Sequence, residues 1–366
     1  MEKLNVGIKV EQKQYTIFVG NDVLKQLADF IQKNHPKKKI AVITDDIVDG
    51  LHGKKMIKAI GALNPFFISI PAGESSKSRK TKEEIENRLL ENKFGRDTLI
   101  IAFGGGVIGD LAGFVASTFN RGVPLIHVPT TLLAMVDSSI GGKTSVDTEH
   151  GKNLIGTVCQ PAAVFSDLDF LETLPDEEFL NGLAEIIKMS IIKDKKLFDF
   201  LKNSHKKIIS RDKKLLLQII KRSAELKTEV IEKDPEEAGL RQILNFGHTF
   251  GHALESYYKY KIKHGYAVSQ GMIVESIISL MTKHLPKNEE EEILSLLKLF
   301  GFPLTINMDI ETGKILEFMI ADKKSRNQKP RFVILEKIGK TKSQKNIFSF
   351  EVDKSIVAKA IELCKS

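Results

Sequence analysis

The 366-residue sequence predicts two domains: an N-terminal α/β dinucleotide-binding domain over residues 1–170 and an all-α domain over 171–366. Three observations carry this. Short β-branched runs alternate with helical stretches through the first half. A glycine-rich turn follows one of those runs, and strand signals nearly vanish after about residue 170.

In chain order, Leu4, Val6, Ile8 and Val10 alternate at the N-terminus, as in one strand of a hairpin turning near Glu11–Gln14. KKIAVITDD (38–46) reads as a buried strand ending in acidic turn residues. PFFISIPAGESSK (65–77) is another, followed by a lysine-rich helix, SRKTKEEIENRLLENK. TLIIAFGGGVIGD (98–110) runs from a strand straight into the glycine turn, and LAGFVASTF begins the next helix. PLIHVPTTLLAMVDS (124–138) repeats strand, polar turn and apolar helix. This alternation implies parallel pairing. The domain boundary falls in a loop around 159–175.

Beyond it, LPDEEFLNGLAEIIKMSIIKD (174–194) has helical periodicity, with Thr173 and Asp176 offering a capping box near Pro175. Residues 212–233, 246–259, 265–284 and 288–300 are also helical, and RFVILEKIG (331–339) is a late strand signal. No internal repeat or low-complexity tract is visible.

Composition bounds the function. Hydrophobic content of 42% and charged content of 28% suit a soluble globular protein. No apolar run is long enough to cross a bilayer, and the N-terminus is not a signal peptide. Two cysteines, Cys159 and Cys364, far apart and without metal-type spacing, fit a reducing cytoplasm. The net charge of +8 suits either nucleic acid or a small anionic substrate. There is no Trp, the five Tyr form no basic–aromatic patch and the lysines are dispersed, so the small anion is the better reading.

Gly104, Gly106 and Gly109 satisfy G-x-G-x-x-G between a strand and a helix, a turn that lets backbone approach a pyrophosphate at a helix N-terminus. No acidic residue follows a second strand about 20 positions on, as the common dinucleotide fold requires. Asp45 or Asp46, at an earlier strand end, could supply the ribose-binding acid instead. SSIGGKTSVDTEHGKNLIG (138–156) reads as a glycine-rich loop carrying Lys143 and Lys152. The phosphate-loop spacing fails there, which disfavours a nucleotide triphosphatase, but the lysines suit a small phosphate.

An open metal site wants about three protein ligands. Glu185 lies in the apolar stretch GLAEIIKM, where an unpaired carboxylate is costly to bury. Lys188, at i+3, could simply pair with it. His248, His252 and His264 complete the candidates, and spacing alone does not choose between them. Thr249 after His248 excludes the H-E-x-x-H metalloprotease motif. His35, His52, His127, His150, His205 and His284 are scattered and read as surface or structural.

Taken together, GGGVIGDLAGF, FNRGVPLIHVPTTLLAMVDSSIGGKTSVD, GKNLIG, GLAEIIK, GLRQILNFGHTFGHALE and HG-x-AV form an ordered series. Over roughly residues 40–335 the chain closely resembles the 3-dehydroquinate synthase family of sugar phosphate cyclases. The resemblance implies the fold shared with glycerol dehydrogenase and iron-containing alcohol dehydrogenases, with NAD on the α/β domain and metal and substrate on the helical one. It places the metal, Zn²⁺ or Co²⁺, on Glu185, His248 and His264, with His252 facing substrate and metal-bound water. Gly247 and Gly251 would clear room for the substrate. NAD contacts fall on Asp45 or Asp46, Glu74, Lys77, Gly105, Gly106, Val107, Ile108, Gly109, Asp110, Thr130, Thr131, Asp137, Lys143 and Lys152, with Phe170 and Thr173 nearby. Substrate contacts fall on Lys143, Asn153, Lys188, Lys227, Arg241, Asn245 and either Lys323 or Lys324. Arg121 matches an arginine that reaches a neighbouring subunit's site, implying a homodimer. Tyr266 stands where the family commonly has glutamate; were that position next to the metal ligands, a charge would be lost there.

The implied reaction converts 3-deoxy-D-arabino-heptulosonate 7-phosphate to 3-dehydroquinate and phosphate, a lyase step of the shikimate pathway to chorismate and the aromatic amino acids. Two enzymatic alternatives share the fold: another sugar phosphate cyclase, and a metal-dependent polyol dehydrogenase. A non-enzymatic binder of nucleic acid or a partner has no specific feature in its favour. No membrane association is expected.

Overall fold

The structure, a computed structural model, describes residues 14–321 and 329–365. The expected N-terminal strand at Leu4–Val10 and both Lys323 and Lys324 lie outside the described residues. The first half runs β1 (Thr16–Gly20), α1 (Leu27–Asn34), β2 (Lys39–Asp45), α2 (Asp46–Ile60), β3 (Phe66–Ile70), α3 (Arg79–Glu91), β4 (Thr98–Gly104), α4 (Gly106–Thr118), β5 (Leu125–Pro129), β6 (Lys143–Thr148), β7 (Gly151–Val158) and β8 (Ala163–Asp167). The second contributes α5 (Asp176–Lys193), α6 (Lys195–Ile209), α7 (Lys213–Lys233), α8 (His248–Tyr257), α9 (His264–Met281), α10 (Lys287–Leu299) and α11 (Thr312–Ala321). It closes with β9 (Arg331–Phe332), β10 (Leu335–Lys337), β11 (Lys340–Thr341), β12 (Phe350–Glu351) and α12 (Lys354–Leu363).

The main sheet has six strands in the order β1-β8-β5-β4-β2-β3, every pairing parallel. Side chains alternate between two cores. Ile40 and Val42 of β2, with Leu99, Ile101 and Phe103 of β4, enter one. Ala41, Ile43, Ile100 and Ala102 enter the other, which α3 and α4 close with Ile85, Leu89, Leu111 and Val115. Period-two alternation with both faces covered is what a parallel sheet needs. The first core continues unbroken into the helical half through Leu183, Ile187, Phe250 and Val268.

In space β4 lies beside β2 rather than β3, so the winding reverses between β2 and β4. Open α/β sheets bind ligands at such a reversal, beyond the strand C-terminal ends. The reversal also accounts for an acid upstream of the glycine turn: the strand adjoining β4 is the earlier β2, which ends at Asp45.

Four sequence expectations are corrected. The boundary loop at 159–175 contains β8, whose Ala163, Val164 and Phe165 are fully buried between β1 and β5. The glycine-rich loop at 138–156 is mostly an antiparallel hairpin, β6–β7, in which Lys143 and Lys152 are strand residues. The capping box at α5 does not form. Pro175 occupies the N-cap, while the Thr173 hydroxyl donates to Phe170 O and meets His52 Nε2 at 2.8 Å. Finally, Gly247 and Gly251 clear room for α9, not for substrate. A Cβ on Gly251 would lie 3.1 Å from Ala267 O, and one on Gly271 only 1.8 Å from Gly247 O.

Two outcomes follow from this packing. Gly271→Ala forces the α8 and α9 backbones apart and lowers stability by about 2 kcal/mol or more. Gly50→Ala, within α2 and with nothing inside 4 Å of its Cβ, raises it by roughly 0.5 kcal/mol. Urea unfolding of both variants measures the contrast. His127 on β5 is 4% exposed, and burial holds its pKa down at about 4 against an ordinary 6.5. Between those values the unfolded chain binds a proton that the native state does not. Stability therefore falls as pH drops from 6.5 to 4, by roughly 3 kcal/mol from this group. Stability–pH curves of wild type and His127→Leu should differ by that slope.

Candidate active site

A cleft of about 1880 Å³ opens where β2 and β4 end and α5, α7, α8 and α9 approach. The turn after β4 begins α4 with Gly105 at the N-cap and no side chain capping it, which leaves backbone N–H groups toward the cleft. Of the residues expected to bind NAD, Asp45, Glu74, Lys77, Gly105, Gly106, Val107, Ile108, Asp110, Thr130, Thr131, Asp137, Lys143, Lys152, Phe170 and Thr173 line it. Gly109 does not; it lies one turn into α4, against the His127 ring. The two adjacent aspartates separate. Asp45 lines the cleft while accepting from Val48 N, whereas Asp46 turns away to accept from Ala72 N at 2.9 Å.

On the helical side Glu185, His248 and His264 converge, with one donor atom of each within 4.8 Å of the others. His248 Nδ1 meets Phe246 O at 3.1 Å, which leaves Nε2 facing Glu185 Oε1 at 3.6 Å. His264 Nε2 reaches the same oxygen at 3.6 Å. Glu185 is 1% exposed, and neither of its oxygens accepts a hydrogen bond, although Lys188 Nζ stands against Oε2 as an ion pair. Burial lowers the pKa of His264, yet Glu185 and Glu255 outweigh it and raise the ring to about 10. A dication bound through these groups would take the place of a proton on the ring. Two imidazoles and a carboxylate with unused lone pairs fit Zn²⁺ or Co²⁺. His252 is not among the three converging donors, although its ring centroid is 5.4 Å from that of His248, much like the 5.2 Å between His248 and His264, and 6.4 Å from that of His264; it lines the cleft.

Cations surround the same space. Lys188 and Lys227 are 2% and 7% exposed. Lys227 Nζ donates to Asp137 Oδ1 and Asp137 O, both at 2.6 Å. Burial would raise the Asp137 pKa, but Lys227 and Lys188 hold it well below the carboxylate range. Arg241 is set by its neighbour Asp234, whose carboxylate accepts from the N–H of Ala238, Gly239 and Arg241. Lys77, buried, spans Asp110 Oδ2 and Asn153 Oδ1, both at 2.5 Å, and so ties α4 to the hairpin. Lys143 pairs with Glu237 at 2.5 Å, and Asn245 donates to the other oxygen of that carboxylate at 2.9 Å.

Arg121 is exposed, adopts a φ of 68° and lies outside the cleft lining of this single chain. Tyr266 is also outside it: its ring meets Phe302 edge-on at 5.6 Å. Among the cleft residues the sequence reading missed are His52, His150, Glu237 and Glu255. His52, read as structural, stacks edge-on with Phe170 at 4.8 Å. His150 lies on the hairpin turn. Glu237 and Glu255 carry no motif signal apart from position, Glu255 closing the quoted stretch NFGHTFGHALE.

Comparison with known proteins agrees with this arrangement. The family profile described as 3-dehydroquinate synthase N-terminal matches residues 67–181, and the one described as 3-dehydroquinate synthase C-terminal matches residues 182–325. The 3-dehydroquinate synthase of Thermodesulfovibrio yellowstonii is 44% identical over 345 residues, 93% of this chain and 96% of that protein. That of Campylobacter concisus is 39% identical, with 92% and 94% covered. Among solved structures, 2-deoxy-scyllo-inosose synthase complexed with carbaglucose-6-phosphate, NAD⁺ and Co²⁺ superposes with a TM-score of 0.87 and 27% identity, over 95% of this chain and 96% of that one. 2-epi-5-epi-valiolone synthase from Streptomyces hygroscopicus, with NAD⁺ and Zn²⁺ bound, gives 0.88 and 25% over 99% of each. A probable glycerol dehydrogenase from Sinorhizobium meliloti, at 0.66 and 16% over 95% of this chain and 96% of that one, shares the fold.

Of two histidines one helical turn apart, His248 shares a donor cluster with Glu185 and His264, and His252 is expected to face the substrate instead. Glu185→Gln and His264→Ala should each lose bound metal, whereas His252→Ala should keep it and lose rate. Elemental analysis of the three purified variants decides this, and metal loss in His252→Ala equal to the others would end the distinction.

Proposed function

The chain belongs to the 3-dehydroquinate synthase family, and we propose that it performs that family's reaction with NAD and a divalent cation, Zn²⁺ or Co²⁺. The substrate is 3-deoxy-D-arabino-heptulosonate 7-phosphate, and the products are 3-dehydroquinate and phosphate. The observation that carries this reading is the convergence of Glu185, His248 and His264 with buried Lys188 and Lys227 opposite a glycine turn. The relatives at 39–44% identity add to it.

When bound, NAD supplies a reversible hydride acceptor and the cation supplies polarisation of the oxidised carbon's oxygen. The chain's own residues bind, orient and move protons. In this reading Lys143, Asn153, Lys188, Lys227, Arg241 and Asn245 hold the substrate's phosphate, carboxylate and hydroxyls. Asp137 keeps Lys227 charged and aimed into the cleft through its two 2.6 Å contacts. His252, beside the ligands yet outside them, is placed to exchange a proton with a substrate hydroxyl. Asp45 binds the ribose of NAD, and Lys77 and Lys152 flank the pyrophosphate. Oxidation acidifies the neighbouring C–H, so a weak base suffices for elimination, and the departing phosphate can itself serve. Lys323 or Lys324 completes the anion site, and Arg121, exposed here, reaches across a homodimer. Among the described residues no helix is long and apolar enough to cross a membrane. In this reading the enzyme is cytoplasmic and binds neither membrane nor nucleic acid.

With NAD⁺ and Zn²⁺ present, purified protein should release phosphate from the heptulosonate phosphate and form dehydroquinate with no net NADH. NADH accumulating in step with product would make it a polyol dehydrogenase. Phosphate release from sedoheptulose 7-phosphate alone would move it to a sister cyclase.

A further inference from the structure

Glu255 is a buried carboxylate that the reading above leaves without a task. It lies in the last turn of α8, three residues beyond His252, and is 5% exposed. Its two oxygens face different partners. Oε2 stands 3.5 Å from His264 Nδ1, and Oε1 stands 4.0 Å from Lys152 Nζ. The opposite nitrogen of the same imidazole, Nε2, faces Glu185 Oε1. His264 therefore lies between two carboxylates, one inside the candidate ligand set and one outside it.

We propose that Glu255 is a positioning residue for the cation site: it fixes the His264 tautomer by accepting from Nδ1–H, so that the Nε2 lone pair faces the cation. The inference rests on the function proposed above only for the presence of the cation. A ring that ligates through Nε2 must carry its proton on Nδ1, and an acceptor for that N–H fixes the tautomer and the ring's orientation. His248 meets that need with a backbone carbonyl, Phe246 O. His264, at the first position of α9, has Glu255 from the preceding helix. Lys152 is the cation nearest the other oxygen of that carboxylate, so the negative charge is matched on the side away from the ring. Lys152 also reaches Glu74 at 3.4 Å and lies over the Tyr260 ring at 4.9 Å, which fixes its own position.

The test uses full-length protein stripped of metal with a chelator and reloaded. Zinc affinity is read by competition with a chromophoric chelator, and the Co²⁺-loaded protein by visible absorption. Glu255→Gln, nearly isosteric, should weaken zinc binding by roughly 10- to 100-fold and change the cobalt spectrum, because the acceptor loses its charge. Glu255→Asp keeps the charge at shorter reach and should lie between Gln and wild type. Circular dichroism and the thermal unfolding midpoint serve as checks that both variants are folded. Zinc affinity and a cobalt spectrum equal to wild type in folded Glu255→Gln would overturn the proposal. So would an Asp variant weaker than Gln, since charge would then not matter. Wild-type protein that binds zinc, with the Gln and Asp ranking as expected, but releases no phosphate from any of the sugar phosphates would sink the function and leave this inference standing.

Discussion

A row of alternating charges joins the two halves of the molecule, and the cleft depends on it. Asp137, on the short helical turn after β5, holds Lys227 of α7; Lys188 of α5 stands nearby, and it pairs with Glu185 one turn back. Buried charges are costly singly and tolerable in matched sets, and breaking one pair strands the other group. The row therefore fixes where the helical half meets the α/β half. It also sets the electrostatics of catalysis in advance. Burial lowers the Lys227 pKa; its contact with Asp137 opposes that most, with a smaller contribution from Glu185. The charges that would hold an anionic sugar are already oriented by the fold and need little rearrangement when it arrives.

Much of this was legible in the sequence because it is local. Short β-branched apolar runs marked the strands at 39–45, 66–70, 98–104 and 125–129, and the glycine turn fell where a helix starts. What was not legible depends on distant partners. Ala163–Asp167 is a short apolar run beside prolines and polar residues, and only its place between β1 and β5 makes it a strand. The β6–β7 hairpin was hidden by its own glycines, which suggested a loop although two strands flank the turn. Thr173 had the chemistry of a cap and spent its hydroxyl on Phe170 and His52 instead.

The candidate site divides in the same way. Spacing placed His248 and His252 on one helical face, and nothing local could show that Glu185 and His264, from two other helices, choose His248 between them. The resemblance to a family supplied that choice, and the structure brings the three together. Glu255 and Glu237 escaped because each acts on another side chain rather than on a ligand, and such residues carry no motif. Tyr266 looked like a departure in the chemistry; its ring belongs to the packing around Phe302.

The glycine crossing between α8 and α9 has a mechanical consequence. With Gly271 seated on the Gly247 carbonyl, the two helices leave no space for sliding or for a hinge between them. Asn181 Oδ1 accepts from Gly265 N at 2.5 Å, and Glu178 holds Lys263, so the start of α9 is pinned to α5 as well. The three helices that carry Glu185, His248 and His264 thus move as one block. Any closure of the cleft must pivot elsewhere, bringing the α/β half toward a cation site whose internal distances stay constant through the stroke.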